Sequence, residues 1–510
     1  MENKAELILI SDSIFDAMSE EPFSGYVAVA DDRIVAVGRG EIPEGLCDGD
    51  TRIINCPGRT ITPGLIDVHC FFTGYVVRFL GEDLSGCKDE EEVFERLKGN
   101  RDPILAHGLN FGISRGKLDA KYPDRVAVLF HEGCETCSMN SRAIDAFRFD
   151  PDHCYPEAYV GIFPFVLGDH AFIAKQFRDY MKMMNARGIT SVKEMGFDDF
   201  HTFTEVLDRM EKNNELTLRV NFMSQPVAKD MNLEYGAKMK DSFHSDTLRF
   251  SGFNQMTDGS VSEYNAQLKK PYENDDSCCH MSIDWDKLKE DTLKADAQGF
   301  RFSLHAQGDG AISRVLDIYE ECERDRDGKV KNRHAITDLE FSDPEDLERM
   351  GRLGVIAEIY PQIQSIADRK GKLAMIEEKI GTERGKYYWN RRKMADSGVT
   401  ISCGTDLPLL IDDIPESIYH AVGGFFPEGG EPFNENNTLT ISELLKAWSF
   451  GGAFNLSMEN QIGTLQVGKK ADLTVFGGDL FRTAMEDIRD IRVAMTIFDG
   501  KVVYEGGKDE

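Results

Sequence analysis

The chain has 510 residues, with 59 Lys and Arg against 89 Asp and Glu, a formal net charge of −30. A pI near 4.8 excludes binding to nucleic acid or an anionic membrane through a basic surface, because such contacts rest on cations against phosphates. A hydrophobic fraction of 41% with 10% aromatics excludes global disorder.

Apolar runs at 6–10, 25–30 and 33–37 read as short strands, with Asp31–Asp32 as the turn between the last two. A strand at 64–69 follows. The next roughly 120 residues form an excursion, but it carries its own apolar run at 126–130, which predicts an inserted subdomain rather than a bare loop. Beyond it, strands and amphipathic helices alternate. Strands are predicted at 189–194, 216–223, 248–255, 300–305, 334–339, 355–360 and 400–406, and helices at 171–187, 203–213, 285–298, 311–324, 344–353 and 442–450. Alternation of this kind makes a parallel sheet, and eight strands close a barrel. The chain ends on strands at 471–476, 493–498 and 501–504, with a hairpin signal at Asp499–Gly500. The two strand-rich ends predict one small β domain shared by both termini.

Eleven scattered cysteines give no disulfide framework. The start lacks a basic region followed by an apolar run, and no stretch of eighteen apolar residues occurs, so a reduced, cytoplasmic protein with no membrane span is expected.

In a parallel barrel the chemistry sits at the C-terminal strand ends. Those ends carry His69, Lys193 and Glu194, Asn254 with Asp258 beyond, His305, Asp338 with Glu340, and Asp406. Two imidazoles and several carboxylates are what a divalent-metal hydrolase needs, since they hold a metal that acidifies water. Any one of these histidines alone is more often a hydrogen-bonded core residue. Their joint placement on strands one, five and eight favours the site. The Cys134–Cys137 pair is a thin zinc or redox signal without a second pair at finger spacing.

The chain resembles the amidohydrolase superfamily, and within it the YtcJ-like group (amidohydrolase family 3, which includes N-substituted formamide deformylases). The resemblance rests on TPGLIDVH at 62–69, PDR at 123–125 with NS at 140–141, GITSV at 188–192, DGS at 258–260, HAQGD at 305–309, GTDLP at 404–408, and IGTL at 462–465 followed by GKKADL at 468–473. It implies a (β/α)8 TIM barrel over 62–454, a β-sandwich from 1–61 plus 455–510, and an inserted subdomain at about 72–165. It also implies metal ligands at His69, His305 and Asp406. The second histidine of the family's His-x-His is Phe71, the strand-four lysine position is Asn254, and the strand-six histidine position is Asp338. In the insertion the family's Gly-His becomes Cys134–Glu135.

Two readings follow. In one, a single Zn²⁺ or Mn²⁺ remains on His69, His305 and Asp406, with Asp338 or Glu135 as further ligand or acid; separately, Lys193 on strand two is a candidate to replace the missing strand-four lysine. In the other, the metal is lost and the chain is a pseudoenzyme or metal-free catalyst. Acids rather than Ala or Gly at the changed positions favour the first, since crowded carboxylates without a cation repel. The Lys193 alternative competes with a plain ion pair to a neighbour such as Glu194. His107, Asn254, Tyr264 and Trp389 are expected to line the substrate. The expected activity is hydrolysis of an amide C–N bond in a small cyclic or N-acyl substrate. A C–C hydrolase of 1,3-dicarbonyls or an isomerase on the same scaffold, and a non-catalytic small-molecule binder, are the alternatives. No nucleic acid or membrane partner is expected, and the assembly expected is a homodimer.

Overall fold

In a computed structural model that describes residues 4–132, 136–148, 150–152, 161–164, 168–198, 202–226, 229–410 and 413–507, the eight central strands pair in parallel, each with the next in sequence. They are Leu65–Cys70, Ile189–Glu194, Arg219–Ser224, Leu248–Met256, Arg301–Ala306, Ala335–Asp338, Ile356–Ile359 and Ile401–Cys403, referred to below as barrel strands one to eight. A parallel bridge from Cys70 to Leu407 joins the last strand's exit to the first strand and closes the barrel. The residues of strands one and two are buried throughout, as expected of strands covered on both faces. Strand eight stops at Cys403 rather than 406. There Thr405 turns its N–H and its hydroxyl onto the Asp67 carboxylate (3.1 and 2.6 Å), and Asp406 takes a left-handed φ of 51°.

The helices form where capping and amphipathic spacing agree. Asp169, Asp284 and Asp343 each accept a backbone N–H at the start of His170–Ala186, Trp285–Ala297 and Pro344–Leu353. Gly354, at φ 69°, ends the last of these. The predicted helix at 442–450 is α-helical only over Ile441–Lys446, behind a capping box at Thr440 and Glu443, and then widens to a π-turn over Ala447–Gly451.

Both termini build one sheet. Its strands are Leu7–Ile14, Phe23–Ala30, Arg33–Arg39, Arg52–Asn55, Thr60–Pro63, Leu473–Phe476, Val493–Phe498 and Lys501–Glu505. Positive φ at both Asp499 and Gly500 fits the tight hairpin that the sequence signals. Arg219, fully buried at the start of barrel strand three, ties this sheet to the barrel. Its guanidinium donates to both oxygens of Asp472 (2.8 and 3.0 Å) and to Asp499. The excursion after strand one contains a four-stranded sheet, Glu82–Asp83, Ile104–Leu109, Ala127–His131 and Cys137–Met139, with a core of its own around Leu97, Leu118 and Leu129. No helix among the described residues is long and apolar enough to cross a membrane.

Candidate active site

Strand parity aims His69, Lys193, Asn254, His305 and Glu358 toward the barrel axis, and the last residue of strand six, Asp338, and the turn after strand eight, with Asp406, come beside them. Asp67 holds one side in place. Besides Thr405, it accepts the His69 N–H at 3.1 Å, so strand one and the exit of strand eight are locked together. Burial pushes its carboxyl up to about 6. The Asp406 N–H donates to the His69 carbonyl at 2.8 Å.

His69 stands between two acids. Its Nδ1 lies 3.5 Å from Glu358 Oε2 and its Nε2 lies 3.7 Å from Asp406 Oδ1. Burial holds this imidazole below its ordinary pKa against the pull of Glu358. The Glu358 carboxylate, itself fully buried, also accepts from Lys193 Nζ, Asn455 Nδ2 (2.9 Å) and the Thr337 hydroxyl (2.9 Å). Burial alone would raise its pKa, but Lys193 and the gathered donors hold it well below the ordinary carboxylate range. The Lys193 ammonium has fewer partners, Glu358 and Asn455 Oδ1 (3.0 Å), and burial pushes it down to about 8.

His305 forms the other half. Its Nε2 lies 3.2 Å from Asp338 Oδ2, which also accepts from Gln307 Nε2 at 2.7 Å. Its Nδ1 lies 3.8 Å from Asp258 Oδ1 and has no hydrogen-bond partner. Burial opposes charging of this ring, but the carboxylates of Asp338, Asp258 and Asp406 outweigh it and lift the pKa to about 9. Asp258 is fixed by the N–H groups of Gln267, Gln307 and Gly308 at 2.8 to 3.0 Å. Asp338 and Leu339 both adopt left-handed φ (80° and 59°). That strain at a non-glycine pair has a local use, because it turns the Asp338 carboxylate back over His305.

The donors suit a divalent ion in type and number, with two imidazoles and two carboxylates at neighbouring strand ends and the buried Nδ1 of His305 and Oδ1 of Asn254 left unsatisfied. They stand as two pairs. Among the described residues, the one trio of His, Cys and acidic groups with ligand atoms within 4.8 Å of one another is Asp296, Cys322 and His334. That trio is committed to the fold. His334 Nδ1 accepts the Phe302 N–H at 3.0 Å, and its Nε2 faces Asp296 Oδ1 at 2.9 Å, an oxygen that also accepts from Asn332.

The remaining expected residues divide. Trp389, at left-handed φ 49°, forms a wall with Tyr360, Arg391 and Met394 beside Asp338. Asn254 points inward and donates to Gln225 at 2.9 Å. Lys193 is paired with Glu358, not with Glu194. The latter turns to the Tyr180 hydroxyl (2.6 Å) and the Phe72 N–H (2.7 Å). Tyr264 is held in a stack, its ring against His280 at 5.1 Å with the Lys379 ammonium 3.4 Å above it. His107 belongs to the inserted sheet, where its Nδ1 meets the Leu80 carbonyl at 2.9 Å. Cys134 and Glu135 lie outside the described residues. Phe71 meets His69 edge-on at 5.4 Å and packs with Met195 and Met223, so apolar contact fills the place of a second strand-one histidine. Sequence reasoning missed Glu358. The signal was an acid inside an otherwise apolar run, 355–360, at the parity of an inward residue.

The Amidohydrolase family model matches residues 52–504. YtcJ of Bacillus subtilis (strain 168) is 22% identical, covering 96% of this chain and 98% of that protein. The N-substituted formamide deformylase of Arthrobacter pascens is 23% identical, covering 99% of each. Among solved structures, an uncharacterized metal-dependent hydrolase from Pyrococcus horikoshii OT3 superposes with a TM-score of 0.72 at 20% identity, covering 94% of this chain and 99% of that one.

Proposed function

The chain belongs to the amidohydrolase superfamily, in its YtcJ-like group, and from that premise we propose that this metal-dependent hydrolase cleaves the C–N bond of a small N-acyl or cyclic substrate. The observation that carries the reading is the convergence of the His69–Asp406 and His305–Asp338 pairs at one end of the barrel. Full-length similarity to a protein named for N-substituted formamides, and similarity over most of the chain to imidazolonepropionases, support the substrate class.

In this reading His69 Nε2, His305 and Asp406 hold a single Zn²⁺ or Mn²⁺, with Asp338 as the fourth donor. When bound, such an ion supplies a Lewis acid and a water acidified toward neutrality. The chain's own residues do the rest. Glu358 takes the Nδ1 proton of His69 as a hydrogen bond and so leaves the Nε2 lone pair facing Asp406. Asp406, about a quarter exposed, accepts a proton from the attacking water. The same carboxyl passes that proton on to the leaving nitrogen, while Asp338, between His305 and the pocket wall of Trp389 and Tyr360, stays ionised as the further donor. The wall excludes water and favours an apolar substituent.

The test is elemental analysis of protein grown with both metals, together with hydrolysis of N-substituted formamides and imidazolonepropionate before and after chelation. About one ion per subunit and chelator-sensitive turnover are expected. Metal-free protein with chelator-insensitive turnover overturns the reading.

A further inference from the structure

At the end of the barrel opposite the candidate active site, a half-open cleft of about 350 Å³ lies under the starts of strands three to six. Its lining is cationic. Lys240, Arg249, Arg301, Lys331 and Arg333 all border it, on a chain whose net charge is −30. Two of the five are neutralised, Lys331 by Glu323 at 2.6 Å and Arg333 by Glu459 at 2.7 Å. The other three are not. Among the described residues, Lys240 Nζ meets only the Gly299 carbonyl at 3.0 Å and the face of Phe300. The Arg249 guanidinium has no hydrogen bond and no carboxylate within 4 Å among the described residues, and the pull it feels from Asp246 is outweighed by burial. Arg301 is 95% buried, and its Nη1 donates to a neutral oxygen, Asn455 Oδ1, at 2.6 Å.

A second observation points to a ligand. Asn221 lines the same cleft at 1% exposure, and neither its amide nitrogen nor its amide oxygen has a partner. A buried amide left unsatisfied destabilises the fold, and three unneutralised cations around one cavity repel. Burial and the neighbouring Arg333 hold the Arg301 guanidinium below its ordinary range, at about 10, despite the pull of Glu358. A structural role accounts for Arg301 only in part, through Asn455, and not for Lys240 and Arg249, which could be any polar residue at a barrel base. A multivalent anion satisfies all of them together: guanidinium forks grip oxyanions in pairs, and an amide N–H₂ completes such a cradle.

We propose that this basal cleft is a binding site for a small multivalent oxyanion, a phosphate group or a di- or tricarboxylate, gripped by Arg249, Arg301, Lys240 and Asn221. The site is separate from the catalytic end and needs no divalent ion. Arg301 shares Asn455 Oδ1 with Lys193, so the cradle is built on the same polar column that supports Glu358.

The experiment is isothermal titration of the chelator-treated full chain with inorganic phosphate, pyrophosphate and citrate at constant ionic strength. Saturable binding at about one equivalent is expected for at least one of the three. Lys240→Ser with Arg249→Ser, two side chains outside the catalytic end, should weaken it at least tenfold. Lys98→Ser with Lys117→Ser, which changes the net charge equally on the inserted subdomain, should leave it unchanged. Asn221→Leu should weaken it without any change of net charge. No saturable heat with any of the three anions overturns the proposal, as does equal affinity in the parent and the Lys240/Arg249 variant. Circular dichroism of each variant separates a lost site from a lost fold.

Discussion

Glu358→Gln tests whether the buried carboxylate at the barrel axis holds the fold, the imidazole, or both. The replacement keeps the shape. Its amide oxygen can still face Lys193 and Asn455, while its N–H₂ faces Thr337 and His69, where Glu358 accepted. Two consequences follow. Lys193 is left as a fully buried ammonium without a carboxylate, which costs about 3–5 kcal/mol of stability. His69 Nδ1 now meets a donor, so its proton moves to Nε2 and the lone pair facing Asp406 is lost. Loss of such a supporting contact lowers metal affinity roughly 10- to 100-fold. Lys193→Met leaves the carboxylate with three donors, Thr337, Asn455 and His69, and should cost less, about 2–3 kcal/mol. In the double variant both charges are gone. Its loss of stability should therefore fall short of the sum of the two single losses by roughly 2–3 kcal/mol, while metal affinity stays as low as in Glu358→Gln alone. Urea denaturation of the four proteins, with m compared across them, reads the first term. Competition with a metal-sensitive dye reads the second. Additivity within about 0.5 kcal/mol, or parent-like metal affinity in the double variant, refutes the reasoning.

Three further outcomes are expected. Asp406→Asn keeps volume but removes a ligand charge and a proton acceptor, so kcat should fall by about 10²- to 10⁴-fold with an unchanged melting temperature; parent-level turnover moves the base elsewhere. Phe71→His places a polar ring against Met195 and Met223, which should lower the melting temperature without metal and restore it with Zn²⁺, because the new imidazole then has a partner. A Zn²⁺-independent loss means the ring does not reach the site. Glu194, buried, has its carboxyl pushed up to about 8; the folded chain keeps this proton where the unfolded chain, near 4.5, has lost it, so the group costs stability increasingly from pH 4.5 to 8. Glu194→Gln should therefore gain on the parent by a few kcal/mol between pH 5 and pH 8, and a pH-independent difference between the two proteins sinks that account.

What could be read from the residues alone was whatever depends on type and strand parity. His69, His305 and Asp338 sit at the ends of short apolar runs, and a run's last inward position is visible in one dimension. The eight strands were legible for the same reason, and errors fell where a side chain overrode the run. Strand eight ends early because Thr405 leaves the ladder for Asp67, a partner 338 positions away. Pairing across the barrel was not legible. Lys193 and Glu358 are 165 residues apart on strands two and seven, and adjacency in sequence favoured Glu194 instead. Only closure of the barrel puts strand seven's acid opposite strand two's lysine, with Asn455 between them. Tyr264 and His107 show the converse. Their places relative to family motifs put them near the substrate, but each is held by a neighbour, the His280 ring and the Leu80 carbonyl. A strand-end acid or imidazole is therefore a site candidate on parity alone, whereas a loop aromatic is one only after its stacking partners are known. By that criterion Glu358 ranks with His69, although no motif marks it.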